Sequence, residues 1–227
     1  MIMTMNADPI EPPSGRVARK RSAVRLRLIR AGFLMVGRQG LGGFAVADLT
    51  DAADCSKGAF YSHFDSRDAF VERLMASGIE TVGRALDDHS ASLTADAALA
   101  IGLLYTLTLA QQQPDWGRFV AQVVSATQHV DAGFGRRLIK DLDRGKREDL
   151  FTFDTIEAAL LLSAGVFLAG VVGASQVGLP PRVPGEATRL TLLGLGVPPA
   201  RAKELSEQPI PLLDFKSEVV EPLRDVG

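Results

Sequence analysis

The chain has 227 residues, 23% of them charged, a formal net charge of -2, one cysteine and three histidines. That length can bury a sizeable core, as one large domain or as a small domain set on a larger one. A single cysteine excludes an intramolecular disulfide and a multi-cysteine zinc centre, and His63, His89 and His129 show no metal-ligand spacing.

The charge is unevenly placed. Residues 1–64 hold nine Lys/Arg against five Asp/Glu, a net +4, which leaves -6 on the remainder. No acidic residue occurs between Pro12 and Ala47, where Arg16, Arg19, Lys20, Arg21, Arg25, Arg27, Arg30 and Arg38 fall. A basic lobe on an acidic body suits a protein that presents one end to phosphates. Taken alone, the same pattern also describes a solvated helix face with a basic tail.

Residues 1–15 contain Pro9, Pro12 and Pro13 and no long apolar run. They are expected to form a disordered tail without a secretory leader, which places the protein in the cytoplasm. A first helix is expected from Arg19 to Arg38, ending before Gly40, with Leu28, Gly32, Met35 and Val36 inward. Val46, Leu49, Ala52 and Ala53 then recur at helical spacing, Asp54-Cys55 breaks the pattern, and Ser56 is placed to cap a second short helix. In that helix Phe60 and Phe64 point inward at i, i+4, leaving Lys57, Ala59, Tyr61, Ser62 and His63 on the other faces. Two short helices around a tight turn, with a buried aromatic pair beneath a Lys/Tyr/His face, read as a helix-turn-helix whose second helix suits a DNA groove. Asp65-Ser66 supplies the next cap, and a helix from about Arg67 into the 80s links this head to the body.

The run from Leu28 to Phe70 resembles the N-terminal domain of the tetracycline-repressor (TetR) family of transcriptional regulators. The matching pieces are Leu28-Ile-Arg-Ala31, Gly40, Val46-Ala-Asp-Leu49, Ala52-Ala53, Ser56-Lys-Gly-Ala-Phe-Tyr61, His63-Phe64 and Ser66-Arg-Asp68. They cover roughly the first third of the chain; the remainder matches in length and helical layout only. Several positions depart from the family pattern. Ala45 stands where a capping Thr or Ser is usual, a loss of about 0.5–2 kcal/mol locally. Asp54 replaces a turn Gly, Cys55 an apolar β-branched residue, and Arg67 a Lys.

The resemblance implies an all-α protein: a three-helix DNA-binding domain over residues 16–66 and a helical effector-binding and dimerisation domain over 67–227. It implies that Lys57, Gly58, Ala59 and Ser62 meet base edges, Gly58 by close backbone approach and Ala59 through a thymine methyl. Tyr61, His63 and Arg67 correspond to phosphate-contacting positions, and Ala45, Val46, Ala47 and Ser56 complete the DNA-facing set. Arg16 to Arg27 are expected to add an arm on the phosphates or in the minor groove.

Beyond the head the chain continues to read as helix. Segments are expected at Asp96–Gln113, Trp116–His129, Asp131–Glu148 (Phe134, Leu138 and Leu142 inward, its charges on an exposed surface), Phe153–Val177, Gly185–Leu195 and Arg201–Ser206. Between Glu157 and Arg182 there is no charge. That length admits a transmembrane reading, yet Ser163, Ser175 and Gln176 interrupt it and basic anchors do not flank it. A homodimer accounts for a helix this apolar: the resemblance implies a four-helix bundle across a two-fold axis, with Leu161, Gly165, Leu168, Ala169, Gly173, Leu190 and Leu193 at the interface. Such a dimer reads an inverted repeat.

The resemblance also implies an effector cavity of mostly apolar walls. Its candidate lining is Leu104, Tyr105, Thr108, Trp116, Phe119, Gln122, Phe134, Phe167 and Val171, for each of which plain core packing is the competing explanation. No catalytic group, metal or cofactor is expected: there is no Gly-rich phosphate loop, no nucleophile–histidine motif, and His129 near Asp131 is an isolated pair. The expected function is a dimeric, ligand-responsive transcriptional repressor acting on double-stranded DNA. A membrane-associated or scaffold helical protein and an activator of the same fold are the alternatives.

Overall fold

The computed structural model describes residues 16–126 and 133–223, with side chains from Arg19 onward; His129 and Asp131 lie outside the described residues. Among these residues all regular structure is helical. Helix α1 (Arg16–Gln39) ends as Gly40 turns to φ +77 and its N–H reaches the Val36 carbonyl at 2.9 Å. A side chain at Gly32 would strike the Phe70 ring at 2.4 Å, so glycine lets α1 settle onto α4. Helices α2 (Val46–Ala52) and α3 (Lys57–Tyr61) come next, the turn between them passing through Asp54 at φ +49. Asp tolerates that left-handed conformation better than most residues do.

The linking helix is one rod with an inserted π-turn: α4 (Arg67–Met75), the turn Ala76–Glu80, then α5 (Thr81–Ser90). Carbonyls in the widened turn find side-chain partners. Thr81 Oγ1 donates to Ala76, Ser217 Oγ to Ser77 at 2.6 Å, and Trp116 Nε1 to Gly78 at 2.6 Å. Side-chain donors thus reach three successive carbonyls of the widened turn.

The body is built on α6 (Ala95–Gln112), which is buried along nearly its whole length. Around it pack α7 (Pro114–Ala126), α8 (Gly133–Arg147), α9 (Ile156–Val172, continued by a π-turn Gly173–Val177), α10 (Val183–Gly194) and α11 (Pro199–Ser206). Helix α6 ends at Gln112, and Pro114 just beyond it opens α7, where a missing N–H costs nothing. The buried Asp96 carboxylate meets Arg201 at 2.9 Å and pins α11 to the start of α6.

Head and body share one core. The apolar cluster runs from Leu28, Phe60 and Phe70 through Phe119 and Trp116 to Val171, and Phe33 stacks on Phe119 with ring centroids 4.7 Å apart. Residues 207–223 contain no regular structure and form a strap, with Leu213, Val220 and Leu223 buried in that cluster. Glu218 on the strap bonds Arg25 of α1, Arg73 of α4 and Ser77 of the π-turn. Burial disfavours its charge, but the hydrogen bond and charge of Arg25, with those of Arg73, outweigh this and hold the carboxyl below its ordinary range.

Candidate functional site

The head presents its polar residues on an aromatic base. Phe60 is fully buried and packs on Phe64 and Phe70 with centroids 5.5 and 5.6 Å away. Ser56 Oγ accepts the Ala59 N–H at 3.2 Å and starts α3. Although α3 is one turn long, Phe64 beyond its end still points into the same core. Lys57, Gly58, Tyr61 and Ser62 are left exposed, Tyr61 at 57% of its surface, with Ala59 half-exposed. A Cβ at Gly58 would meet nothing closer than Ser56 Oγ at 3.8 Å. Within the protein, this position has room for a side chain.

The remaining head positions divide between presentation and support. Ala45 is exposed before α2, with Val46 and Ala47 half-exposed behind it. Alanine offers no acceptor for the helix start, while its own N–H donates to Asp48 Oδ2 at 2.8 Å, one half of a capping box. Arg67 donates to the Phe44 carbonyl at 3.2 Å and to that of Leu41, its guanidinium 4.8 Å above the Phe44 ring. It braces the loop before α2. His63 is half-buried; burial first, then the charges of Arg21 and Arg25, lowers its pKa below the usual histidine value. Around this face Arg21 bonds the Ser62 carbonyl at 2.8 Å and Arg27 that of Asp54 at 3.0 Å, holding cationic groups beside α3.

A cavity of about 890 Å³ lies in the body, bounded by the linking rod (Met75, Ile79, Glu80, Leu86, Asp87), α6 (Leu99, Leu103, Thr106), α8 (Phe134, Arg137, Leu138, Asp141) and α9 (Leu160, Ser163, Phe167). Of the nine residues expected in such a pocket, Phe134 and Phe167 line it, with ring centroids 5.5 Å apart. Trp116 is tied to the Gly78 carbonyl and the Tyr105 hydroxyl accepts the Leu223 N–H at 3.4 Å. Phe119 stacks on Phe33, Val171 belongs to the shared core, Gln122 sits by Gly40, and Leu104 and Thr108 are buried outside the cavity wall.

Of the charges of α8, Arg136, Lys140, Asp143, Lys146 and Arg147 lie on an exposed surface as expected, whereas Arg137, Asp141 and Arg144 turn partly inward and line the cavity. Their i, i+4, i+7 spacing is the sequence pattern that marks one helix face. Arg137 joins Asp87 at 2.8 Å and Glu80 at 3.1 Å, tying α8 to the linking rod. Burial drives the Asp141 carboxyl up to about 6, against the charges of Arg144 and Lys140 and helped by Asp87.

The outer face of α9 and α10 is apolar and uncovered. Leu161 is 78% exposed and Leu190 63%, with Leu193, Gly165 and Ala169 also exposed and Leu168 and Gly173 partly buried. Among the described residues, 156–177 is the one helical stretch long and apolar enough to span a membrane. Among them, too, no group of three or more His, Cys, Asp or Glu is placed to hold a metal.

These features define a class of architecture: a small helix-turn-helix head fused to a cavity-bearing helical body. Residues 28–74 match the model of the bacterial regulatory proteins of the tetR family. Over 74 residues the chain is 35% identical to the HTH-type transcriptional repressor DhaR of Mycobacterium sp. (strain GP1), covering 31% of this chain and 37% of that protein. Among solved structures, RolR in complex with resorcinol has a TM-score of 0.62 at 24% identity, covering 87% of this chain and 100% of its own. A gamma-butyrolactone receptor (ArpA-like protein) reaches the same TM-score at 19% identity, covering 82% and 96%. Residues 28–74 are thus similar to the N-terminal domain of the tetR family, and the chain as a whole shares the fold of these two solved structures.

Proposed function

We propose that this protein is a cytoplasmic, homodimeric transcriptional repressor that releases a palindromic operator when a small, mostly apolar effector enters the cavity. Lys57, Gly58, Ala59 and Ser62 read the major groove while Tyr61, His63 and Arg67 serve phosphate contact and register. The exposure of Lys57, Tyr61 and Ser62 beside Arg21 and Arg27 supports this assignment. Two copies paired through Leu161, Gly165, Ala169, Leu190 and Leu193 bury an otherwise solvated apolar face and set two heads on a two-fold axis. Such pairing also accounts for the apolar 156–177 helix without a membrane. The names of DhaR, a repressor, and of RolR with resorcinol favour repression and a small ligand.

The observation that carries the switching mechanism is continuity of one rod. The helix that starts at the head with Arg67 supplies Met75, Ile79 and Glu80 to the cavity wall. A ligand wedged between α8 and that rod shifts the rod at its π-turn, changes head spacing, and lowers affinity because both half-sites cannot be engaged together. A gel-shift series on the DNA upstream of the gene tests this. Preference over scrambled DNA at moderate salt, lost on adding an effector, is expected; equal binding to both DNAs removes the operator claim.

A further inference from the structure

The polar wall of the cavity narrows the chemistry of its occupant, an inference that rests on the effector reading above. Arg137 is the cation most enclosed by the wall, and its guanidinium is already engaged by Asp87 and Glu80. Thr106 is closed too, its hydroxyl donating to the Gly102 carbonyl at 2.6 Å. Among the described residues, Ser163, Asp141 and Arg144 Nε are left open. Ser163 is fully buried, and its Oγ has no hydrogen-bond partner among the described residues. Asp141 has only a charge contact with Arg144 at 3.7 Å, and Arg144 Nε is itself buried without a partner.

A buried polar atom left unpaired destabilises the empty cavity, so a ligand that pairs it binds more tightly. A hydroxyl both donates and accepts, and thus suits Asp141, Ser163 and Arg144 Nε alike. Net charge on the ligand is disfavoured in either sign. Glu80, Asp87, Asp141 and Glu157 line the cavity against an anion, while Arg137 on the same wall and Lys140 and Arg144 beside Asp141 disfavour a cation. Elsewhere the walls are apolar, and Phe134 and Phe167 present ring surface suited to a planar ring. We infer that the effector is a neutral, hydroxyl-bearing aromatic molecule, its hydroxyls held by Asp141 of α8 and Ser163 of α9.

The test is calorimetric titration of the full chain with four probes of similar size: hydroquinone, toluene, benzoate and benzylamine. Hydroquinone is expected to bind at least tenfold more tightly than the other three. Asp141→Asn and Ser163→Ala are each expected to weaken hydroquinone several-fold and leave toluene unchanged, with operator binding by the free variants intact as proof of folding. Toluene, benzoate or benzylamine binding as tightly as hydroquinone overturns the ligand class, as does no binding by any probe or indifference of hydroquinone to both substitutions. Failure of the effector reading looks different: hydroquinone binds and responds to the substitutions, yet operator DNA stays bound at saturation.

Discussion

Two surfaces of this molecule lie open to solvent, and they are opposites. The face of α3 sets Lys57, Tyr61 and Ser62 above a closed aromatic base and beside Arg21 and Arg27. The face of α9 and α10 sets Leu161, Gly165 and Ala169, in a stretch without charge between Glu157 and Arg182, together with Leu190 and Leu193 of α10. Neither is explained by folding alone: the first leaves cations clustered, the second leaves apolar area in water. Each asks for a partner of its own chemistry, a polyanion at one end and a second copy at the other. The two contacts should therefore respond to salt in opposite directions. DNA affinity should fall steeply between about 50 and 200 mM salt through counterion release, while dimer affinity should hold or strengthen.

The largest effect is expected where the apolar face is broken. Leu161→Glu with Leu190→Glu places four carboxylates in the two-fold interface and should weaken dimerisation on the order of 100-fold or more. Analytical ultracentrifugation reads this directly; an unchanged dimer would move the interface elsewhere. Next comes Lys57→Ala, expected to cut operator affinity about tenfold or more while the dimer persists, since one such contact is worth about 1–3 kcal/mol per head. Fluorescence anisotropy on operator DNA checks it, and full affinity would deny Lys57 a place at the groove.

Gly58→Ala sharpens the contrast further, because the free head has space there. The substitution should raise thermal stability slightly, by up to about 1 kcal/mol of helix propensity, yet weaken operator binding several-fold. If affinity is unchanged, close backbone approach to DNA is not what this glycine serves.

The smallest effect concerns the strap that joins the two regions. Glu218 is held below the ordinary carboxylate range by Arg25 and Arg73 against the cost of burial. A carboxyl lowered in the folded state contributes stability above its unfolded pKa and loses it as pH falls through the folded value. Glu218→Gln should therefore cost about 1 kcal/mol near pH 7 and less at an acid pH below the ordinary carboxylate range. Equal losses of melting temperature at both pH values would contradict the assigned ion pairs.

The head was legible in the sequence because its determinants are local. Ser56 caps the helix that starts at Lys57, Phe60 and Phe64 fall one turn apart, and Asp54 takes the turn. The cavity was not, because it forms between helices distant in sequence. Tyr105 and Trp116 combine an apolar body with a polar end, which also describes a ligand contact; in the fold, Leu223 and the Gly78 carbonyl take those ends. Arg137 and Asp141 look like solvated charges until the linking rod brings Glu80 and Asp87 beside them. The strap has prolines at 209, 211 and 222 and no periodicity, so nothing local marks Glu218 as a tie between helices.

The most direct test of the central claim is stoichiometric binding to the upstream inverted repeat, measured by sedimentation with labelled DNA, beside a variant carrying about half a helical turn inserted between half-sites. Protomers bound in pairs, one head per half-site, are expected, with affinity lost on the insertion, which turns the second half-site to the far side of the duplex. A single protomer bound per site, or equal affinity for both spacings, would contradict that claim.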